Sequence, residues 1–211
     1  MDPPFFASLH DARPIRKRMV RTAAHGEVRF LTFSCERRLP LLSHPGIARL
    51  FADRLGAARE RWSFGLLGWV VMPEHVHLLL IPPRPDHAAL DLTDRILEFI
   101  KKSVAQRAIA HWKRTDTSIL QAIARHADGV PRFWLKGGGF DRCCRDGEEM
   151  TRALRYLHRN PVERGLCASS TDWEWSSARW WARYTGQGGY SPLVECDPPP
   201  GPGWTTWSGW K

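Results

Sequence analysis

The chain is expected to fold as an α+β sandwich, a mainly antiparallel sheet of the ferredoxin-like kind packed against helices. Three observations lead there. Runs rich in β-branched and aromatic residues alternate with stretches whose apolar residues recur at helical spacing, in the order strand, helix, strand, strand, helix, strand, helix. The 211 residues, 43% hydrophobic and 25% charged, suffice for one domain with its own core and some appendages. The five cysteines are odd in number and never spaced Cys-x-x-Cys, so they read as free thiols and packing has to carry the fold.

Each element follows from local chemistry. Residues 1–24 form a basic arm with little apolar periodicity, whose Arg16, Lys17 and Arg18 are candidate DNA contacts along a phosphate backbone, with a solvated tail as the alternative. Val28, Phe30, Leu31, Phe33 and Cys35 mark a first strand over 27–36, and Arg37-Arg38 leads into a turn at Pro40. Ser43 and Pro45 then suit a helix start, and Ile47, Leu50, Phe51, Leu55 and Ala58 predict a helix over about 45–61. Phe64 to Met72 reads as a second strand, Pro73-Glu74 as a tight link whose Glu74 either faces solvent, the preferred reading, or orients a metal ligand or water, and the run to Ile81 as a third strand stopped by Pro82-Pro83. Leu92, Ile96, Ile100, Val104 and Ala108 give a helix over about 91–112, and Ile119 to Ala127 a shorter one. Phe133 to Leu135 and Phe140 to Arg145 read as two short strands around the hinge Gly137-Gly138-Gly139. Met150, Ala153, Leu154 and Leu157 mark a helix over 147–160 that Pro161 should end. The domain is expected to span 25–185, with Trp173, Trp175, Trp180 and Trp181 packed on it, and 186–211 to be a loose tail. In this topology the first and third strands are the central pair.

Charge and hydropathy narrow the function. Lys and Arg number 31 against 22 Asp and Glu, a formal net charge of +9, which points to a polyanion partner, with solubility as the plain alternative. No apolar run approaches the length of a membrane span, and no secretory-signal core is found near the start, so the expected location is the cytoplasm of a bacterial-type cell.

Two polar pairs stand out against the core pattern. His75 and His77 alternate with Val76, so both project from one face of the third strand, roughly 6–7 Å apart at the backbone. They can share a metal ion, or be two hydrogen-bonded core histidines. Tyr156 and Asn160 are four residues apart and hence neighbours on one helical face. Arg152, Arg155 and Arg159 around them create a positive field that attracts phosphate and favours a phenolate, and Lys101 and Lys102 are further candidate phosphate contacts. Two histidines and an amide oxygen can hold a divalent ion beside a phenol that attacks phosphorus.

The stretch Trp69-Val70-Val71-Met72-Pro73-Glu74-His75-Val76-His77 resembles the W-V-V-M-P-[DE]-H-x-H block of the single-tyrosine, HUH-type transposases, most of all the REP-associated tyrosine transposases. Tyr156-Leu157-His158-Arg159-Asn160-Pro161-Val162 is similar to their Y-I-x-x-N-P-V block, and Trp173-Glu174-Trp175-Ser176-Ser177 to the W-x-W-S-S segment that follows. The resemblance spans roughly residues 27–181. It implies that His75, His77 and Asn160 bind a divalent metal, Mg²⁺ or Mn²⁺, and that Tyr156 is the nucleophile. It further implies attack on single-stranded DNA near a hairpin, a 5′-phosphotyrosine intermediate, a freed 3′-hydroxyl, and action as a monomer or homodimer.

Two other classes compete. A nucleic-acid-binding protein that keeps the fold but no longer transposes would explain the charge. A two-histidine phosphoesterase needs a second His-x-Ser/Thr-like motif on another strand, and the sequence has none.

Overall fold

The computed structural model describes residues 28–83, 92–189 and 191–200. The arm that carries Arg16, Lys17 and Arg18 lies outside the described residues. Four antiparallel strands, β1 (Val28–Cys35), β2 (Gly65–Val71), β3 (His75–Ile81) and β4 (Trp134–Cys144), form one sheet in the order β2-β3-β1-β4. The first and third strands are thus the central pair, as expected. A central strand is held on both edges and covered on both faces, which makes it a rigid mount for the histidines.

Helix α1 (Ile47–Trp62) buries Ile47, Phe51, Leu55 and Ala58, and α2 (Thr93–Thr115) buries Ile96, Ile100, Val104, Ala108 and Trp112 at strict four-residue spacing. Both pack on the sheet face to which Phe33 points, where Phe33 meets Phe51 with ring centroids 6.1 Å apart. A short helix, α3 (Thr117–Ile123), and a turn lead back to Phe133, whose ring stacks on Trp112 at 5.7 Å. The opposite face is covered by α4 (Gly147–Glu163), with Leu154 and Leu157 over Gly68 of β2. A seven-residue helix, α5 (Ala178–Tyr184), follows.

The free edge of β2 is closed by later chain. Val71 N–H donates to Trp175 O (2.8 Å), Ser177 N–H to Trp69 O (2.9 Å) and Asp197 N–H to Leu66 O (2.8 Å). An edge satisfied in this way offers no ladder to another molecule. Residues 193–197, which the sequence assigned to a loose tail, are therefore pinned: Val194 and Cys196 are buried, and Asp197 also pairs with Arg59 at 2.5 Å.

Two further expectations are corrected. The glycine triplet is part of one continuous strand, β4, because its pairing with β1 runs through it, Gly139 facing Phe33. The left-handed φ of +67° at Gly137 accompanies a register shift between Phe33 and Cys35, so the glycines serve a bulge and not a hinge. Pro161 does not end α4, which continues to Glu163, and Arg164 N–H still donates to Asn160 O at 3.1 Å. In the last turn the proline forfeits only the bond its own N–H would have made, so Asn160 keeps helical geometry.

Candidate active site

Strand alternation and the register Thr32↔His77↔Val70 turn both histidines toward α4. Their Nε2 atoms lie 2.9 Å apart, with the rings nearly perpendicular at 82°. Each Nδ1 has a partner on the far side of its ring: Glu74 Oε1 at 3.0 Å for His75, and Thr32 Oγ1 at 2.7 Å for His77. Burial raises the Glu74 pKa, but hydrogen bonds from His75 and Arg164 outweigh it and hold the carboxyl at about 2. An ionised carboxylate only accepts, so the His75 proton sits on Nδ1 and its Nε2 presents a lone pair. The Thr32 hydroxyl can accept from His77 Nδ1 or donate to it; the 2.9 Å Nε2···Nε2 contact is a hydrogen bond when one of the two carries the proton, and with both protons on Nδ1 the two Nε2 lone pairs converge on one point.

Asn160 reaches that point from α4. Its Nδ2 is 3.3 Å from His77 Nε2, it is 4% exposed, and its Oδ1 has no hydrogen-bond partner among the described residues. An orphaned buried amide oxygen is costly unless something binds it. Turning the amide about its last bond exchanges the two atoms and supplies an oxygen donor beside the two nitrogens. Two imidazole nitrogens and an amide oxygen are donors that a divalent cation could take, and their chemistry does not choose among such ions. Among the described residues no three His, Cys, Asp or Glu side chains converge to hold a metal ion.

Tyr156 stands one turn before Asn160. Its ring centroid is 5.4 Å from that of His77 and 6.1 Å from that of Phe30, which itself stacks on His77 at 5.3 Å. Burial raises its pKa and the nearby Glu163 adds to this, while Asn160, Arg164 and Arg38 pull it down; the net result is a phenol held above its ordinary value. The expected phenolate-favouring field of Arg152, Arg155 and Arg159 is thus not what the phenol meets. Arg152 pairs with Glu148 at 2.9 Å and Arg159 with Glu163 at 3.4 Å along the outside of the helix, and Arg155 is exposed there too.

The other candidates separate from the site. Lys101 lies on the far face of the sheet, its Nζ 5.3 Å from the centre of the Phe33 ring, and the exposed Lys102 follows it on α2. Trp180 and Trp181 are buried on the domain, as expected, and Trp181 Nε1–H donates to Leu67 O. His158 is fully buried with Nε2 2.7 Å from Ser177 Oγ, and burial pushes its pKa down to about 3, so it is a neutral tie between α4 and the segment after it.

Two further residues complete the surroundings. Glu74, expected to face solvent, is 7% exposed and bonds both His75 and Arg164. Its place beside a histidine was the one local signal, since a carboxylate commonly orients a ligand imidazole. Thr32 becomes legible only when the β1–β3 register is known.

The sequence and the fold both have likenesses among known proteins. No family model matches the chain. It is 25% identical over 122 residues to a Haemophilus influenzae protein named as a REP-associated tyrosine transposase, and 24% identical over 119 residues to the REP-associated tyrosine transposase of Escherichia coli K12. The matches cover 56% of this chain, and 61% and 56% of those two proteins, so the chain spans under two thirds of the curated relatives it matches. A solved structure of a REP-associated tyrosine transposase bound to a REP hairpin aligns with a TM-score of 0.58 at 22% identity, over 91% of this chain and 95% of that one, and shares the fold. The chain is thus similar to the REP-associated tyrosine transposases in sequence and in fold.

Proposed function

We propose that this chain, similar to the REP-associated tyrosine transposases, is itself a metal-dependent nuclease and strand transferase acting on single-stranded DNA beside a hairpin. The observation that carries this reading is the meeting of Tyr156 and Asn160 of one helix with His77 of the central strand inside a single chain. Tyr156 is the nucleophile, and His75, His77 and Asn160 hold the metal. A divalent ion bound there supplies Lewis-acid withdrawal of charge from the phosphodiester. Tyr156 Oη forms a bond to phosphorus, the bond from phosphorus to the 3′ oxygen breaks, the phenol loses its proton and the departing oxygen takes one up. The product is a 5′-phosphotyrosine and a free 3′-hydroxyl, and because the phosphodiester is exchanged for another, rejoining needs no nucleotide cofactor. The half-buried phenol, with its raised pKa, stays protonated and hydrogen-bonding until the charge beside it changes.

The partner follows from the same reading: a DNA strand with hairpin structure, drawn by the net charge of +9. Because each of the four groups comes from one chain, a monomer suffices for the chemistry. The experiment uses a hairpin oligonucleotide labelled at either end and incubated with protein and Mn²⁺ or Mg²⁺. The 3′-labelled fragment should become covalently attached to protein and the 5′-labelled fragment should be released with a free hydroxyl. Tight binding with no cleavage across many hairpins would instead favour the reading of a silent DNA-binding relative.

A further inference from the structure

The end of α4 carries a bridge that the four-residue site does not use. Arg164, which caps the helix, donates from one terminal nitrogen to Glu74 Oε1 at 2.6 Å, and the same oxygen accepts from His75 Nδ1 at 3.0 Å. One carboxylate oxygen therefore fixes a histidine of β3 and an arginine 90 residues beyond Glu74 itself. The burial is lopsided: the Glu74 side chain is 9% exposed and that of Arg164 is 40% exposed. The acid lies inside, and the outer edge of the guanidinium faces solvent.

Five N–H donors in a rigid fork make a guanidinium a preformed clamp for phosphate, and the bond to Glu74 occupies one of them. Arg164 follows Asn160 by four residues, as the C-cap of the helix that carries Tyr156. Its charge is one of those that act on the Tyr156 phenol. As a stabilising device the pair is weak, because an ion pair with one half-exposed partner is screened by water. As an orienting device it is well made, since the acid that aims His75 also aims the arginine.

We propose that Arg164 binds the phosphodiester under attack by Tyr156, and that Glu74 is the positioning residue that holds Arg164 and His75 in register. This rests on the nuclease reading above. It adds a cationic contact on the reacting phosphate, made by the cap of the nucleophile helix itself.

Binding is measured by fluorescence anisotropy with Tyr156→Phe protein as parent, so that cleavage does not intervene. Two versions of one hairpin strand are compared, one with the ordinary phosphodiester at the cleavage position and one with a neutral methylphosphonate there. Arg164→Gln in this parent should weaken the ordinary strand about tenfold and leave the methylphosphonate strand nearly unchanged. Arg164→Lys should recover part of the loss. Glu74→Gln should lose the same discrimination and also weaken Mn²⁺ binding followed by electron paramagnetic resonance. Equal weakening of both strands by Arg164→Gln, as a purely structural role would give, overturns the proposal, as does no loss at all. If wild-type protein cuts the hairpin while Arg164→Gln binds like its parent, this inference alone falls; if the parent binds neither strand, the nuclease reading falls with it.

Discussion

The amide of Asn160 lies 3.3 Å from Nε2 of His77, across 83 residues of sequence. That contact joins the strand that offers two imidazoles to the helix that offers a phenol, and it leaves the Asn160 carbonyl oxygen buried with no partner among the described residues.

Thr32 fixes His77 from the rear through the 2.7 Å contact at Nδ1. Thr32→Val keeps the shape of the side chain and removes the hydroxyl, leaving the imidazole free to change tautomer. Mn²⁺ affinity, read by calorimetry, should fall about tenfold, as is usual on losing a partner behind a ligand histidine. Unchanged affinity would show that His77 needs no such support.

Gly68 lets α4 lie close to β2. A Cβ there would stand 2.6 Å from Leu154 Cδ1 and 3.3 Å from Leu157 Cδ2, both in a fully buried layer. Gly68→Ala should cost about 1–3 kcal/mol by overpacking, read from the denaturation midpoint, and lower cleavage by shifting Tyr156 and Asn160 with the helix. A variant of full stability and activity would mean that the leucines repack without moving α4.

Glu149 gives the fold an acid-sensitive anchor. A hydrogen bond from Arg145, set against burial and helped by the Arg145 backbone N–H and the charge of Arg142, lowers its pKa from 4.5 to about 2. A carboxyl with a depressed folded pKa contributes its full stability above the unfolded value, and loses it as pH falls through 4.5 toward 2. Between those values the stability attributable to Glu149 should decline by up to about 1.4 kcal/mol per pH unit. Glu149→Gln should be less stable at neutral pH and lack that part of the slope; an identical acid slope in the variant would refute the assignment.

How much was legible in the sequence depended on whether a feature was local. His75, His77, Tyr156 and Asn160 lie in two short stretches whose periodicities, two for the strand and four for the helix, settle which side chains share a face. The strand order followed from element order, which put the histidines at the centre. Glu74 was misread because a residue after proline in a turn looks exposed, whereas Cys35 N–H binds its carbonyl and Arg164 covers its side chain. The Gly137–Gly139 segment was misread for a related reason: glycines look flexible until a neighbouring strand pairs with them. Arg152 and Arg159 were expected to act on Tyr156, yet each has a glutamate one turn away on its own helix. Pro161 was expected to stop a helix that its position in the last turn allows to continue.

The claim at the centre of the account is that the bond to DNA is made by Tyr156. The most direct test is mass spectrometry of the protein after reaction with hairpin DNA and Mn²⁺, followed by nuclease and protease digestion. The account predicts a nucleotide phosphate on the peptide that contains Tyr156, and none in Tyr156→Phe. A nucleotide on any other residue, or cleaved DNA with no covalent adduct, would contradict it.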